Sequence, residues 1–215
     1  MDNAVLLERV TYLILLVLSL TVHEFSHAWT AWRLGDDTAA LAGRLTLNPI
    51  PHIDPIGTLI LPLLGVPFGW AKPVPVNPAR FRRDVKMSTG DILTSAAGPI
   101  SNLLLALLAA VVLGIVARFA PGVVRNGSGA FELLRGLMFV NAALMIFNLL
   151  PIPPLDGGHV AANLVPYRFR DAWESFARIA PFVLLAVIFF GRSIISAPIQ
   201  FIVAGLWQIA VVVAG

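Results

Sequence analysis

His23-Glu24-Phe25-Ser26-His27 sets two imidazoles four residues apart, with a carboxylate next to the first. On a helix, residues i and i+4 share a face, so both imidazoles can reach one ion. The carboxylate lies close to that ion without being forced to bind it. It is placed to take a proton from an attacking water. On a soluble helix the same pattern reads as a solvated polar turn. Here Leu13 to Val22 precedes it without one charged residue. Ionisable groups inside a membrane segment are costly and mark function.

A catalytic zinc usually takes three protein ligands and leaves one position open. With no cysteine and only four histidines in the chain, any further ligand is a histidine or a carboxylate. Asp156 is the best candidate. It sits in Asn148-Leu149-Leu150-Pro151-Ile152-Pro153-Pro154-Leu155-Asp156-Gly157-Gly158. The prolines forbid regular helix and the glycines permit unusual backbone angles. A carboxylate on irregular backbone at membrane depth needs a protein or ion partner. Its bland alternative is a helix cap or turn aspartate.

The elements that must position these residues are read from hydropathy. The 215 residues are 58% hydrophobic and 13% charged, with mean hydropathy +0.84. Too few charges remain to cover a water-facing surface, so the chain belongs in lipid. Ala4 to Val22 predicts a first span, its helix continuing to Leu34. Ile92 to Ala117 and Phe131 to Leu150 predict two more. Ile179 to Phe190 and Ile199 to Ala214 suit a final hairpin. Pro55 to Pro67 is apolar but short, with Pro62 and Gly65 inside it, which favours a re-entrant or hairpin segment. Ala40 to Leu47 has strand character, and Trp70 to Val76 reads as an extended edge around Pro73 and Pro75. The expected fold is an all-α polytopic membrane protein. It has about five spanning helices, the re-entrant segment and short membrane-associated β-strands, in one domain over 1–215.

Charge sets the expected orientation. Lys72, Arg80, Arg82, Arg83 and Lys86 share one loop, and Arg168, Arg170 and Arg178 another, so both are placed in the cytoplasm. The net charge of +3 reflects this loop bias and not a nucleic-acid partner. The first apolar run is not a signal peptide: Asp2 and Glu8 spoil its start, and it runs into His23 without a cleavage site. Asp156 follows an inward-running span. His23 and His27 meet it only if the first helix also runs inward, which requires the Pro55–Pro67 segment to enter and leave on one side.

With HExxH on one membrane helix and N-x-x-P-x-x-x-x-D-G after a later one, the chain resembles the site-2 protease family of intramembrane zinc metalloproteases. GRLTLNPIPHIDPIGT, GWAKPVPVNP and AAGPISN resemble segments of its compact bacterial members. The resemblance implies one zinc ion held by His23, His27 and Asp156, with Glu24 as general base. It implies an electrophilic or substrate-positioning role for Asn148, and a transmembrane protein as substrate. Many members carry a PDZ or CBS domain, for which these 215 residues leave no room.

Other residues carry weaker expectations. His52 and Asp54 read as loop residues, the alternative being support for the ligands or lining of the site entrance; His159 reads as a structural or supporting neighbour of Asp156, the alternative being a further ligand or proton partner. Asn102 reads as an interhelical hydrogen-bonding group, with Gly98 allowing close helix approach. Trp70 to Val76 is a candidate to hold an unwound substrate by strand addition. Two other functions compete. A metal transporter would need a ligand pathway, often with internal repeats, whereas here the polar groups gather at one depth. A catalytically inactive scaffold would not need Glu24.

Overall fold

The computed structural model describes residues 3–66 and 68–215. Met1, Asp2 and Pro67 lie outside the described residues, and with them the Asp2 reading and the end of the re-entrant stretch. Helix α1 (Asn3–Arg33) is a run of Leu, Ile and Val with no internal glycine or proline. It stops at Gly35, whose φ of 107° only glycine adopts without strain. The buried Asp36 then accepts from Thr38 N at 3.0 Å and Asn77 N at 2.6 Å. This ties the end of α1 to the loop that follows the re-entrant region.

The short helix α2 (Thr38–Leu41) comes next. A 3-10 turn at Ile50–His52 then leads to a π-helical turn at Pro55–Ile60, which runs into α3 (Leu61–Leu63). Asp54 caps that turn, accepting from Ile56 N at 3.0 Å and Gly57 N at 2.7 Å. The two joined pieces extend roughly 14 Å at helical rise, about half the ~30 Å hydrocarbon thickness. They fit a re-entrant segment and not a span. Gly57 is required here, since a Cβ on it would fall 2.4 Å from the Trp70 ring.

The expected β-strands are not formed; no strand occurs among the described residues. The first of the two regions begins in helix α2, where Asp36 supplies a side-chain acceptor to Thr38 N. The second, Trp70–Val76, has no regular secondary structure and pairs with no strand. Trp70 O accepts from Thr58 Oγ1 at 2.7 Å, Lys72 N donates to His52 O at 2.9 Å, and Lys72 O accepts from Arg44. Pro73 and Pro75 remove the amide hydrogens that a ladder needs.

Helix α4 (Met87–Phe119) is the hub, packing on α1, α5 (Gly129–Asn148), α6 (Asp156–Leu164) and α8 (Arg192–Ala214). Lipid gives no hydrophobic drive between helices, so small residues that permit close backbone approach decide the packing. Ala106, Ala109, Ala110 and Leu113 of α4 are buried against Met138 of α5 and Leu206 and Ala210 of α8. A Cβ on Gly114 would lie 2.6 Å from Ala210 O. Leu15, Leu16 and Leu20 of α1 form a second cluster with Val140 and Ala71. Helix α7 (Arg170–Phe190) starts well before the expected Ile179, and meets α8 across the break at Gly191.

Among the described residues five helices are long and apolar enough to cross a membrane: Val5–Arg33, Met87–Phe119, Gly129–Asn148, Tyr167–Phe190 and Ile195–Ala214. The chain is an integral membrane protein of all-α architecture.

Candidate metal centre

His23, Glu24 and His27 lie on the last third of α1, all less than a tenth exposed. The two imidazoles meet edge to face, with their Nε2 atoms 3.0 Å apart. Asp156, the first residue of α6, completes the group. Its Oδ2 lies 3.3 Å from His23 Nε2 and its Oδ1 3.3 Å from His27 Nε2. One ligand atom from each of the three residues falls within 4.8 Å of the others. Gly157 and Gly158 let Asp156 reach this place. A Cβ on Gly157 would sit 2.3 Å from Leu149 O, and one on Gly158 2.7 Å from Pro153 N. The helix start is thereby pressed onto the proline-rich turn that leaves α5. Asn163 of α6 also donates to Asp91 on α4.

The far edges of the imidazoles decide which nitrogen can bind a metal. His27 Nδ1 faces Thr94 O at 2.7 Å. A carbonyl can only accept, so Nδ1 carries the hydrogen and Nε2 presents its lone pair. His23 Nδ1 lies 2.7 Å from Asn102 Oδ1. Two lone pairs and a carboxylate then converge on one point, and Asp156 Oδ2 is buried without a hydrogen-bond donor. Such a cluster demands a cation, and its donor set of two nitrogens and one carboxylate suits a divalent transition metal. Where a proton supplies the positive charge instead, burial still opposes ionisation of Asp156. Hydrogen bonds and charge from His23 and His27 nevertheless hold it well below the usual carboxylate range.

Gly98 on α4 makes room for the imidazole pair. A Cβ there would lie 2.4 Å from His27 Nε2 and 2.5 Å from His23 Cε1. Overpacking of this kind costs about 1–3 kcal/mol. Gly98→Ala is therefore expected to weaken divalent-metal binding about 5- to 150-fold. Equilibrium dialysis of the purified variant measures this, and wild-type binding would remove Gly98 from the site.

Glu24 reaches the loop segment that follows α3. Its Oε2 accepts from Val74 N at 2.9 Å, the middle of the Trp70–Val76 segment. That segment is held in turn by Arg44, which donates to Lys72 O and, at 3.3 Å, to Pro73 O. Burial lowers the pKa of Arg44, while the negative charge of Glu24 works against that shift.

The remaining residues singled out in the sequence fall outside the trio. Asn148, on the last turn of α5, donates to Leu144 O at 3.0 Å within its own helix. His159 is exposed on α6 and is not part of the metal group. His52 is buried, its Nε2 2.9 Å from Thr46 O and its Nδ1 3.4 Å from Arg44; it supports the loop. Asn102 does join helices, and one of them through His23 itself. Asn141, Ser19 and Arg44 were missed. A lone asparagine at 141 and a serine at 19 inside apolar runs carried the signal already used for Asn102. Arg44 carried none, because its partners lie 28 and 29 residues away.

The profile of peptidase family M50 matches residues 122–191. The chain is 40% identical over 185 residues to "Putative zinc metalloprotease YwhC" of Bacillus subtilis, covering 85% of this chain and 82% of that one. It is 36% identical over 154 residues to "Putative zinc metalloprotease Rip2" of Mycolicibacterium smegmatis, covering 70% of this chain and 56% of that one. For the protein of the same name in Mycobacterium tuberculosis strain H37Rv the identity is 33% over 172 residues, covering 80% and 62%. No solved structure matches with comparable significance.

Proposed function

The chain belongs to peptidase family M50, and from that premise we propose that it is a zinc-dependent endopeptidase. It hydrolyses peptide bonds of transmembrane protein substrates within or near the bilayer. The observation that carries this reading is the convergence of His23 Nε2, His27 Nε2 and a carboxylate oxygen of Asp156 on one point, in a chain with five apolar helices. In this reading the three residues hold one zinc ion. When bound, zinc polarises the scissile carbonyl and acidifies the attacking water.

The chain's own residues do the rest. Glu24 takes the proton of the attacking water and delivers it to the leaving amine nitrogen. Its hydrogen bond from Val74 N orients the carboxylate. Asn148 serves the developing oxyanion, which requires its side chain to turn from Leu144 O, where it donates now. A helical substrate hides its carbonyls in i to i−4 bonds and must unwind locally before attack. In this reading the site lies towards the cytoplasmic face of a bacterial cytoplasmic membrane, an orientation that the basic loops support.

Purified protein reconstituted with a model transmembrane substrate tests the reading. Cleavage is expected to require zinc, to stop on treatment with chelator and to return when zinc is restored. Cleavage that persists after complete zinc removal would overturn the proposal.

A further inference from the structure

Three helices meet behind His23 in a chain of side-chain hydrogen bonds buried from lipid and water. Ser19 on α1, Asn102 on α4 and Asn141 on α5 are each fully buried. Asn102 Nδ2 lies 2.8 Å from Asn141 Oδ1. Asn141 Nδ2 lies 2.9 Å from Ser19 Oγ and 2.9 Å from Leu137 O. At the near end, Asn102 Oδ1 lies 2.7 Å from His23 Nδ1.

An amide can in principle sit either way round, so the order of donors and acceptors needs a fixed point. Leu137 O is that point. A backbone carbonyl has no hydrogen, so Asn141 must turn its NH2 group towards it. Asn141 Oδ1 then faces Asn102 as an acceptor. Asn102 must answer with its own NH2 group, which is also the group nearest Ser19 O, a second carbonyl at 3.5 Å. Asn102 Oδ1 is left facing His23, and His23 Nδ1 must carry the hydrogen. Only then is its Nε2 a lone pair aimed at Asp156 and His27.

We propose that Asn141 is a positioning residue for the metal site. Acting through Asn102, with Ser19 as its second acceptor, it locks His23 in the tautomer whose Nε2 accepts a metal ion. The inference rests on the protease reading only in naming zinc as that metal. His27 obtains the same tautomer directly from Thr94 O, so the two ligands are set by independent means: one by a backbone carbonyl, the other by a relay across α1, α4 and α5. Buried asparagines in a membrane core are otherwise costly. This arrangement satisfies both and gives them a chemical task.

The test measures zinc affinity and imidazole tautomer, not activity. Asn141→Ala frees the Asn102 amide to turn over, and zinc affinity is expected to fall about 10- to 100-fold, the usual cost of removing an orienting partner. Asn102→Leu is expected to do the same. The double variant Asn102→Leu/Asn141→Ala should bind zinc no more weakly than Asn102→Leu alone, because Asn141 has no other route to the metal. Additive losses would mean that Asn141 acts only on packing, and would overturn the proposal. So would unchanged affinity in Asn141→Ala. Should that variant fail to fold, Ser19→Ala gives a milder version, expected to weaken zinc binding several-fold; wild-type affinity there counts against the relay.

Nitrogen-15 spectra of histidine-labelled protein supply a second readout. In wild-type protein the neutral His23 ring is expected as the Nδ1–H tautomer, and in Asn141→Ala as a mixture. A wild-type ring with its hydrogen on Nε2 would sink the inference even if zinc-dependent cleavage were found. Failure to bind zinc, with the expected tautomer present, would instead sink the protease reading and leave the relay standing.

Discussion

Glu24→Gln is expected to cut the rate of substrate cleavage by about 10²–10⁴-fold, the range over which a positioned acid–base group acts, while zinc content stays that of wild type. The two effects separate because Glu24 is not in the trio: its Oε2 is engaged by Val74 N, whereas the atoms that could hold an ion belong to His23, His27 and Asp156. Glutamine keeps the shape and an acceptor oxygen for Val74 N, so the local fold survives. It cannot accept a proton at neutral pH. Metal analysis and single-turnover cleavage on one preparation decide the matter. Full activity in Glu24→Gln would remove Glu24 from the mechanism; loss of zinc would make it a ligand.

Asp156→Ala is expected to have the larger effect on the metal. It removes the one carboxylate among the three candidate ligands and leaves the two imidazole Nε2 atoms 3.0 Å apart without that partner. Zinc affinity should fall by more than about 100-fold, the upper end for groups that merely orient a ligand. Cleavage should fall with it. Asp156→Asn keeps an oxygen in the same place without the charge and is expected to lie between alanine and wild type. The turn before it matters as much as the side chain, since Gly157 and Gly158 admit no Cβ against Leu149 O and Pro153 N. Zinc bound at wild-type strength in Asp156→Ala would show that the carboxylate is a neighbour and not a ligand.

Much of the fold is legible in the sequence, for physical reasons. Long runs such as Leu13–Val22 have no stable state in a bilayer except helix. The HExxH spacing puts both imidazoles on one face by helix geometry alone. The β-strands failed because extended character was read from composition near Ala40 and from prolines near Trp70. A strand needs a partner with matching donors and acceptors, and neither region finds one. Arg44 takes the place such a partner would occupy beside Lys72 and Pro73, and an arginine reaching across almost thirty residues leaves no periodic trace. Helix α7 begins earlier than Ile179 because the charges at Arg170 and Arg178 interrupt hydropathy without interrupting the helix. Asn141 was legible in principle, by the reasoning applied to Asn102: a single amide inside lipid must find company.

The prolines that prevented a ladder have one more effect. Between positions 73 and 75 only Val74 owns a backbone hydrogen, and Glu24 already holds it. A passing peptide would find rings and oxygens there but no hydrogen to grip with its own carbonyls. Over these three positions the stretch offers a neighbouring peptide acceptors and no free backbone donor, so any pairing there runs one way only.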